Sequence, residues 1–220
     1  MKALVTAIAI MASLVTQAQA QTYYVTGDSI SSNVPLYDWN GWPTILQELR
    51  PDIIVENHAV PGTTTSVLAN KVPNGGYEGY VIMAGVNDPT GQAIADFCNA
   101  DPVVTATRLA NMALDARRSG IEPYILTTTP APPRWVPLTG VYSPHCQAWI
   151  DDPDYWENFR LAVNAELYRL QPEYQYTIIP TGDLYTLEEW IEYNGYSEQF
   201  PWVLEVHPVS LEVRESIANL

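Results

Sequence analysis

The chain has 220 residues, with 25 Asp+Glu against 10 Lys+Arg, and a formal net charge of −15. Such acidity excludes nucleic acid as a partner and argues against anionic lipid, because both require clustered Lys and Arg. The length suits one domain with a substantial core.

In chain order, residues 1–20 read as a signal peptide. Lys2 is a short positive region, Ala3 to Val15 is apolar apart from Thr6 and Ser13, and Ala18-Gln19-Ala20 is a small-x-small cleavage site. Cleavage would start the mature domain at Gln21 (residues 21–220) and, by removing Lys2, make it one unit more negative. The apolar run is short for a membrane anchor, and no later segment is long and apolar enough to span a bilayer. The expectation is an exported monomer without stable membrane insertion, periplasmic or extracellular.

Tyr23 to Thr26 is expected to be the first strand, followed by a turn at Gly27 and a loop carrying Ser29, Pro35, Trp39 and Trp42. Pro43-Thr44 opens a short helix over 45–49. Ile53-Ile54-Val55 is a β-branched run of the kind found in buried parallel strands, ending at Asn57-His58-Ala59-Val60-Pro61-Gly62. A helix is expected from near Thr64 to before Pro73, and a third strand over 80–84, ending at Gly85-Val86-Asn87-Asp88. Asp101-Pro102 reads as an N-cap with proline at the first helical position. Ala106, Leu109, Ala113 and Ala116 mark that helix's buried face, and Gly120 stops it. Tyr124-Ile125-Leu126 is the fourth strand, and it leads into the proline-rich stretch around Trp135.

Asp152-Pro153 is expected to cap a helix with the stripe Phe159, Val163, Leu167 and Leu170, which Pro172 follows. Tyr176 to Ile179 is the fifth strand. Further helices are expected over 184–193 and from near Ser210 to the C-terminus. This alternation predicts an α/β fold: a single-domain, three-layer sandwich with a mostly parallel five-stranded sheet and helices on both faces.

In such a sheet the loops after the strands gather along one edge. Ser29, Gly62 and Asn87 lie on three of those loops, and His207 precedes the last expected helix. A serine hydroxyl becomes a useful nucleophile when an imidazole takes its proton. Acyl transfer also creates an oxyanion, for which the N–H groups of Ser29 and Gly62 and the Asn87 amide are suitable donors.

Four blocks in this order resemble the SGNH hydrolase superfamily, also called the GDSL family: Gly27-Asp28-Ser29, Gly62 in its local context, Gly85-x-Asn87-Asp88, and His207-Pro208-Val209-Ser210. The resemblance covers nearly the whole mature chain. It implies a flavodoxin-like SGNH hydrolase fold, with Ser29 as nucleophile, His207 as base, and Ser29, Gly62 and Asn87 as the oxyanion hole. One position departs from the family. An aspartate usually precedes the base histidine by three residues, and here Leu204 stands there, with Glu205 one residue nearer to His207. Either Glu205 or another acid such as Asp183 replaces it, or a backbone carbonyl orients the ring in a Ser-His dyad. Loss of activity is the remaining consequence of the missing acid.

His58 and His145 are competing bases that read as locally packed residues. Trp39, Trp42, Trp135, Tyr142, Trp149, Tyr196 and Trp202 concentrate in loops, and Trp135 and Trp202 are the candidates for a sugar or acyl platform. Cys98 and Cys146 read as one disulfide in an oxidising compartment, with two buried thiols as the alternative. Their spacing fits no metal site, and no Gly-x-Ser-x-Gly, His-Glu-x-x-His or phosphate-cradling glycine loop occurs.

The expected function is a secreted serine esterase that needs no cofactor or metal. Its expected substrate is a small-molecule or carbohydrate ester with a short acyl group, such as acetyl. The alternative is a non-catalytic glycan- or surface-binding protein on the same scaffold.

Overall fold

Five parallel strands carry the fold: β1 (Gln21–Gly27), β2 (Ile53–Asn57), β3 (Gly79–Met83), β4 (Glu122–Leu126) and β5 (Thr177–Ile179), hydrogen-bonded in the order β2-β1-β3-β4-β5. The computed structural model describes residues 20–33, 40–90, 100–130, 154–186, 189, 214, 215 and 218. The strand order reverses beside β1, so the loops after β1 and β3 leave the sheet next to a topological switch point, where such sheets bind ligands.

Alternation along β3 divides the core. Tyr80 and Ile82 face one side, with helices α2 (Thr65–Leu68), α3 (Pro102–Arg118) and α4 (Tyr155–Tyr174) packed there through Leu68, Leu109, Phe159 and Leu167. Val81 and Met83 face the other, with α1 (Trp42–Leu49) packed there through Trp42 and Leu46. The three-layer α/β sandwich expected from the alternation is therefore the observed fold. Ala106, Leu109, Ala113 and Ala116 are buried as their spacing predicts. Both ends of α3 are sealed. Asp101 accepts the Val103 N–H at 2.8 Å, and the Gly120 and Ile121 amides close a Schellman motif on Arg117 and Ala116.

Several expectations are corrected. β2 is an edge strand with alternating burial, and Ile54 is 46 % exposed. Its β-branched run reflects strand propensity without cover on both faces. The helix expected from near Thr64 to before Pro73 is only the four residues of α2. Helix α4 begins at Tyr155 with Asp154 at its N-cap position; Asp152-Pro153 lies outside the described residues.

Pro172 sits inside α4 instead of after it. The proline removes one donor in the last turn. The chain beyond it is fastened by Tyr176 Oη to Leu167 O (2.5 Å), Gln171 Nε2 to Tyr176 O (3.2 Å) and Arg117 Nη1 to Gln175 O (2.9 Å). Gln175 takes the left-handed capping conformation, with φ 56°. Around Thr186 a capping box forms, with Thr186 N donating to Glu189 Oε2 (2.8 Å) and Glu189 N to Thr186 Oγ1 (3.2 Å). Leu184 is not helical, and Glu189 is. Arg214, Glu215 and Ala218 of the last expected helix are helical too, and Arg214 Nη1 donates to Asn40 O just ahead of α1.

Candidate active site

From Val25 to Ser32 every residue is buried except Ser29, which is half-buried. The loop after β1 therefore presents one side chain outward. Its approach to β3 is so close that a Cβ on Gly27 would lie 2.2 Å from Met83 O, so only glycine fits. Beyond Ser29 the chain is anchored from two directions. Trp42 Nε1 of α1 donates to Ser31 Oγ (3.0 Å), and Asn57 Nδ2, at the end of β2, donates to Ser31 O (2.8 Å).

Three loops are stitched to one another in a closed circuit. The first joins the third through Asp28 N to Met83 O (3.4 Å). The second joins the first through Val60 N to Gly27 O (3.0 Å) and His58 N to Val25 O (2.8 Å). The third joins the second through Asn87 Nδ2 to Thr63 O (3.2 Å), one residue past Gly62. Asp88 reinforces that last joint: its carboxylate accepts Thr65 N (2.8 Å), Thr65 Oγ1 and Thr105 Oγ1 (2.8 Å), with Arg108 Nη1 at 3.8 Å. The structure thus gathers Ser29, Gly62 and Asn87 onto one set of linked loops.

Gly62 adopts φ +72°, which favours glycine, and the space where a Cβ would stand is open. Its N–H has no hydrogen-bond partner among the described residues. A donor held in a rigid turn suits an oxyanion, because nothing must reorganise as charge develops. A primary amide carries two hydrogens. In Asn87 one anchors the side chain to Thr63 O, and the other is the one an oxyanion role requires.

Asp28 carries the largest electrostatic perturbation in these loops. Its side chain is 1 % exposed, and burial, with the nearby Asp88 carboxylate adding to it, pushes its pKa up from 3.8 to about 7 against the Ile30 N–H that favours the anion.

Of the other candidate residues, His58 stacks on the Tyr24 ring (centroids 4.1 Å apart) and faces Glu56 Oε2 at 3.4 Å, a local role as expected. The backbone of Asp183 ends a 3-10 turn, Thr181–Asp183, after β5. Its side chain is outside the described residues, as are His207, Glu205, His145, Trp135, Trp202, Cys98 and Cys146 and the other loop aromatics except Trp42, which is buried on α1. Residues 1–19 of the expected signal peptide also lie outside them. Among the described residues no helix is long and apolar enough to cross a membrane.

The sequence reading missed a second polar cluster at the ends of β4 and β5. Arg160 and Asn164, buried on α4, both donate to Thr128 O at 3.1 Å, and Arg160 also donates to Gly182 O (3.2 Å) and pairs with Glu157. Gly182 N donates to Thr127 Oγ1 at 2.7 Å. The available signal was spacing: Trp156, Arg160, Asn164 and Leu167 fall on one helical face. Between this cluster and the third loop is a cavity of ≈10 Å³ lined by Gly85, Val86, Thr128, Trp156, Phe159, Arg160 and Val163, room for about one water and no acyl chain.

No family profile matches the chain, and no curated protein does. Solved structures do. TesA aligns over 90% of this chain and 94% of its own, with 20% identity and a TM-score of 0.54. The psychrotrophic esterase EstA from Pseudoalteromonas sp., solved inhibited by monoethylphosphonate, aligns over 90% and 93%, with 13% identity and a TM-score of 0.58. A GDSL-like lipase from Bacteroides thetaiotaomicron aligns over 98% and 93%, with 14% identity and a TM-score of 0.56. AlinE4, an SGNH-hydrolase family esterase, is also similar, over 75% of this chain. The fold is therefore the one SGNH hydrolases share, as the four blocks implied.

Proposed function

We propose that this chain is an exported serine esterase of the SGNH type. The observation that carries the reading is the closed circuit of loops, which presents Ser29 outward from a buried run beside the unpartnered Gly62 N–H and the anchored Asn87 amide. Ser29 Oγ attacks the ester carbonyl while His207 takes its proton. The N–H groups of Ser29 and Gly62 and the Asn87 amide stabilise the oxyanion. His207 then gives the proton to the leaving alcohol, and water, deprotonated by the same imidazole, releases the acid from the acyl-enzyme. The fold's occurrence in esterases supports this chemistry, and the Arg214 bond to Asn40 supports a base from the same C-terminal stretch, seven residues away in sequence.

Glu205, Asp183 or a main-chain carbonyl orients the imidazole, and Trp135 and Trp202 flank a short acyl ester, acetyl on carbohydrate being the substrate class favoured. Hydrolysis of p-nitrophenyl acetate tests the reading: Ser29→Ala loses turnover to background while its melting temperature stays near wild type. Undiminished turnover in that variant removes Ser29 from the mechanism. Leu204, where the family has its acid, favours the rival reading of a glycan-binding protein on this scaffold. Glycan binding without turnover would establish that rival.

A further inference from the structure

We propose that Asp28 is a positioning residue for Ser29, its carboxyl holding the turn that presents the Ser29 hydroxyl. The proposal rests on the reading of Ser29 as nucleophile.

The geometry is that of a folded-back side chain. Asp28 Oδ1 accepts the Ile30 N–H at 3.0 Å, spanning Ser29, while Asp28 O accepts the amides of Ser31 (3.3 Å) and Ser32 (3.1 Å). One residue thus fixes the backbone on both sides of Ser29. The other carboxyl oxygen, Oδ2, is buried with no hydrogen-bond partner. A carboxylate needs several donors to be stable away from water. Here Oδ1 accepts the Ile30 N–H, Asp28's own backbone N–H adds a smaller pull toward the anion, and Oδ2 is buried without a hydrogen-bond partner.

The charged surroundings disfavour the anion further. No other ionisable residue lies between Val25 and Asn33 in the loop itself. From the third loop Asp88 acts on Asp28 by like charge, and the cation Arg108 of α3 lies at Asp88, 3.8 Å from its Oδ2. From the second loop Glu56 and His58 face each other at the sheet's exposed edge. From α1 the neighbouring group is the neutral Trp42 indole. No cation among these groups compensates Asp28. Burial and Asp88 together raise its pKa into the neutral range. Ionisation as pH rises then places a buried negative charge in the turn, which relaxes toward water and moves Ser29.

The test compares wild type, Asp28→Asn and Asp28→Ala from pH 5 to 9. Asn keeps the Oδ1 acceptor and imitates the neutral acid. Asp28→Asn is expected to hold kcat within about threefold of wild type at pH 6 and to lack the alkaline fall that wild type shows through about pH 7. Asp28→Ala is expected to lose roughly 10²-fold in kcat with KM little changed, the scale of a reacting group displaced by about 1 Å. Hydrogen exchange of the Ile30 and Ser31 amides, corrected for intrinsic rates, gives a readout independent of turnover. Protection should fall with rising pH in wild type and stay constant in Asp28→Asn. Superimposable profiles for wild type and Asp28→Asn in exchange, or wild-type kcat in Asp28→Ala, would overturn the proposal. A wild-type protein that shows the exchange difference but no turnover would instead count against the esterase reading alone.

Discussion

Two regions at the C-terminal edge of the sheet are built from similar materials and behave differently. Where β4 and β5 end, the Thr128 carbonyl accepts from both Arg160 and Asn164, the Gly182 carbonyl accepts from Arg160, and the Gly182 amide is bonded to Thr127 Oγ1. Each of these backbone groups is engaged, which is how a buried polar network specifies a structure. Where β1 ends, Asp28 keeps one buried oxygen without a partner, and in the neighbouring second loop the Gly62 N–H has no hydrogen-bond partner among the described residues. A native fold leaves few polar groups unpaired, and those it does leave call for a reason. The bonded backbone where β4 and β5 end reads as a clamp on the scaffold, although the neighbouring Thr129 Oγ1 is also buried without a hydrogen-bond partner. Where β1 ends, Asp28 Oδ2 belongs to the buried positioning residue, and on the proposed mechanism the Gly62 N–H is the group left for a reacting ester.

The comparison can be broken at either region. The largest effect on activity is the loss of turnover in Ser29→Ala. On the clamp side, Arg160→Met should cost about 3–5 kcal/mol, because it strands a largely buried Glu157 and the Gly182 carbonyl, while Thr128 O keeps its Asn164 donor. Urea denaturation reads this directly, and turnover should fall only as the folded fraction does.

The next effect separates the regions by pH. A folded-state acidity for Asp28 near 7, against 3.8 ordinarily, means the folded chain binds a proton that the unfolded chain has released between those values. Stability relative to Asp28→Asn is therefore full below about pH 4, declines as pH rises, and levels off above about pH 7. The total is on the order of 4 kcal/mol, from about three units at 1.36 kcal/mol each. A stability difference between the two proteins that does not change with pH would contradict the buried, raised carboxyl.

Asn87→Ala should lower kcat by roughly 10²–10³, about 2.7–4 kcal/mol at the transition state, with a smaller change in KM. The smallest effect expected is that of Thr105→Val, which removes one of the hydroxyl donors to Asp88 at nearly constant volume. It should cost about 1.5 kcal/mol in stability, with kcat within a few-fold of wild type.

Much of this was legible in the sequence, and the failures have physical causes. Short runs rich in apolar, aromatic and β-branched residues marked all five strands, since such side chains favour extended backbone. The ends of α3 were readable because Asp101, Pro102 and Gly120 each have a local backbone reason to be there. The edge position of β2 was not legible, because Ile53-Ile54-Val55 states a preference for extended backbone and is silent on whether its second face is covered. Pro172 was taken for a terminator, yet α4 persists past it because contacts from Tyr176 and Arg117, distant or beyond the helix, fasten its end. Of the site, the order of Ser29, Gly62 and Asn87 was visible as motif. Their bracing was not: Asn57 reaching Ser31 and Asp88 reaching Thr65 are long-range bonds that local pattern cannot register. Arg160 and Asn164 were hidden for a related reason, since polar residues on an apolar stripe look like errors in periodicity until their carbonyl partners are seen.

The central claim is that Ser29 is a nucleophile. Treating the folded protein with a fluorophosphonate and locating the adduct by peptide mass spectrometry tests it most directly. The account predicts one adduct per chain, on Ser29, absent from Ser29→Ala. An unlabelled Ser29 in a protein that still hydrolyses p-nitrophenyl acetate would contradict it.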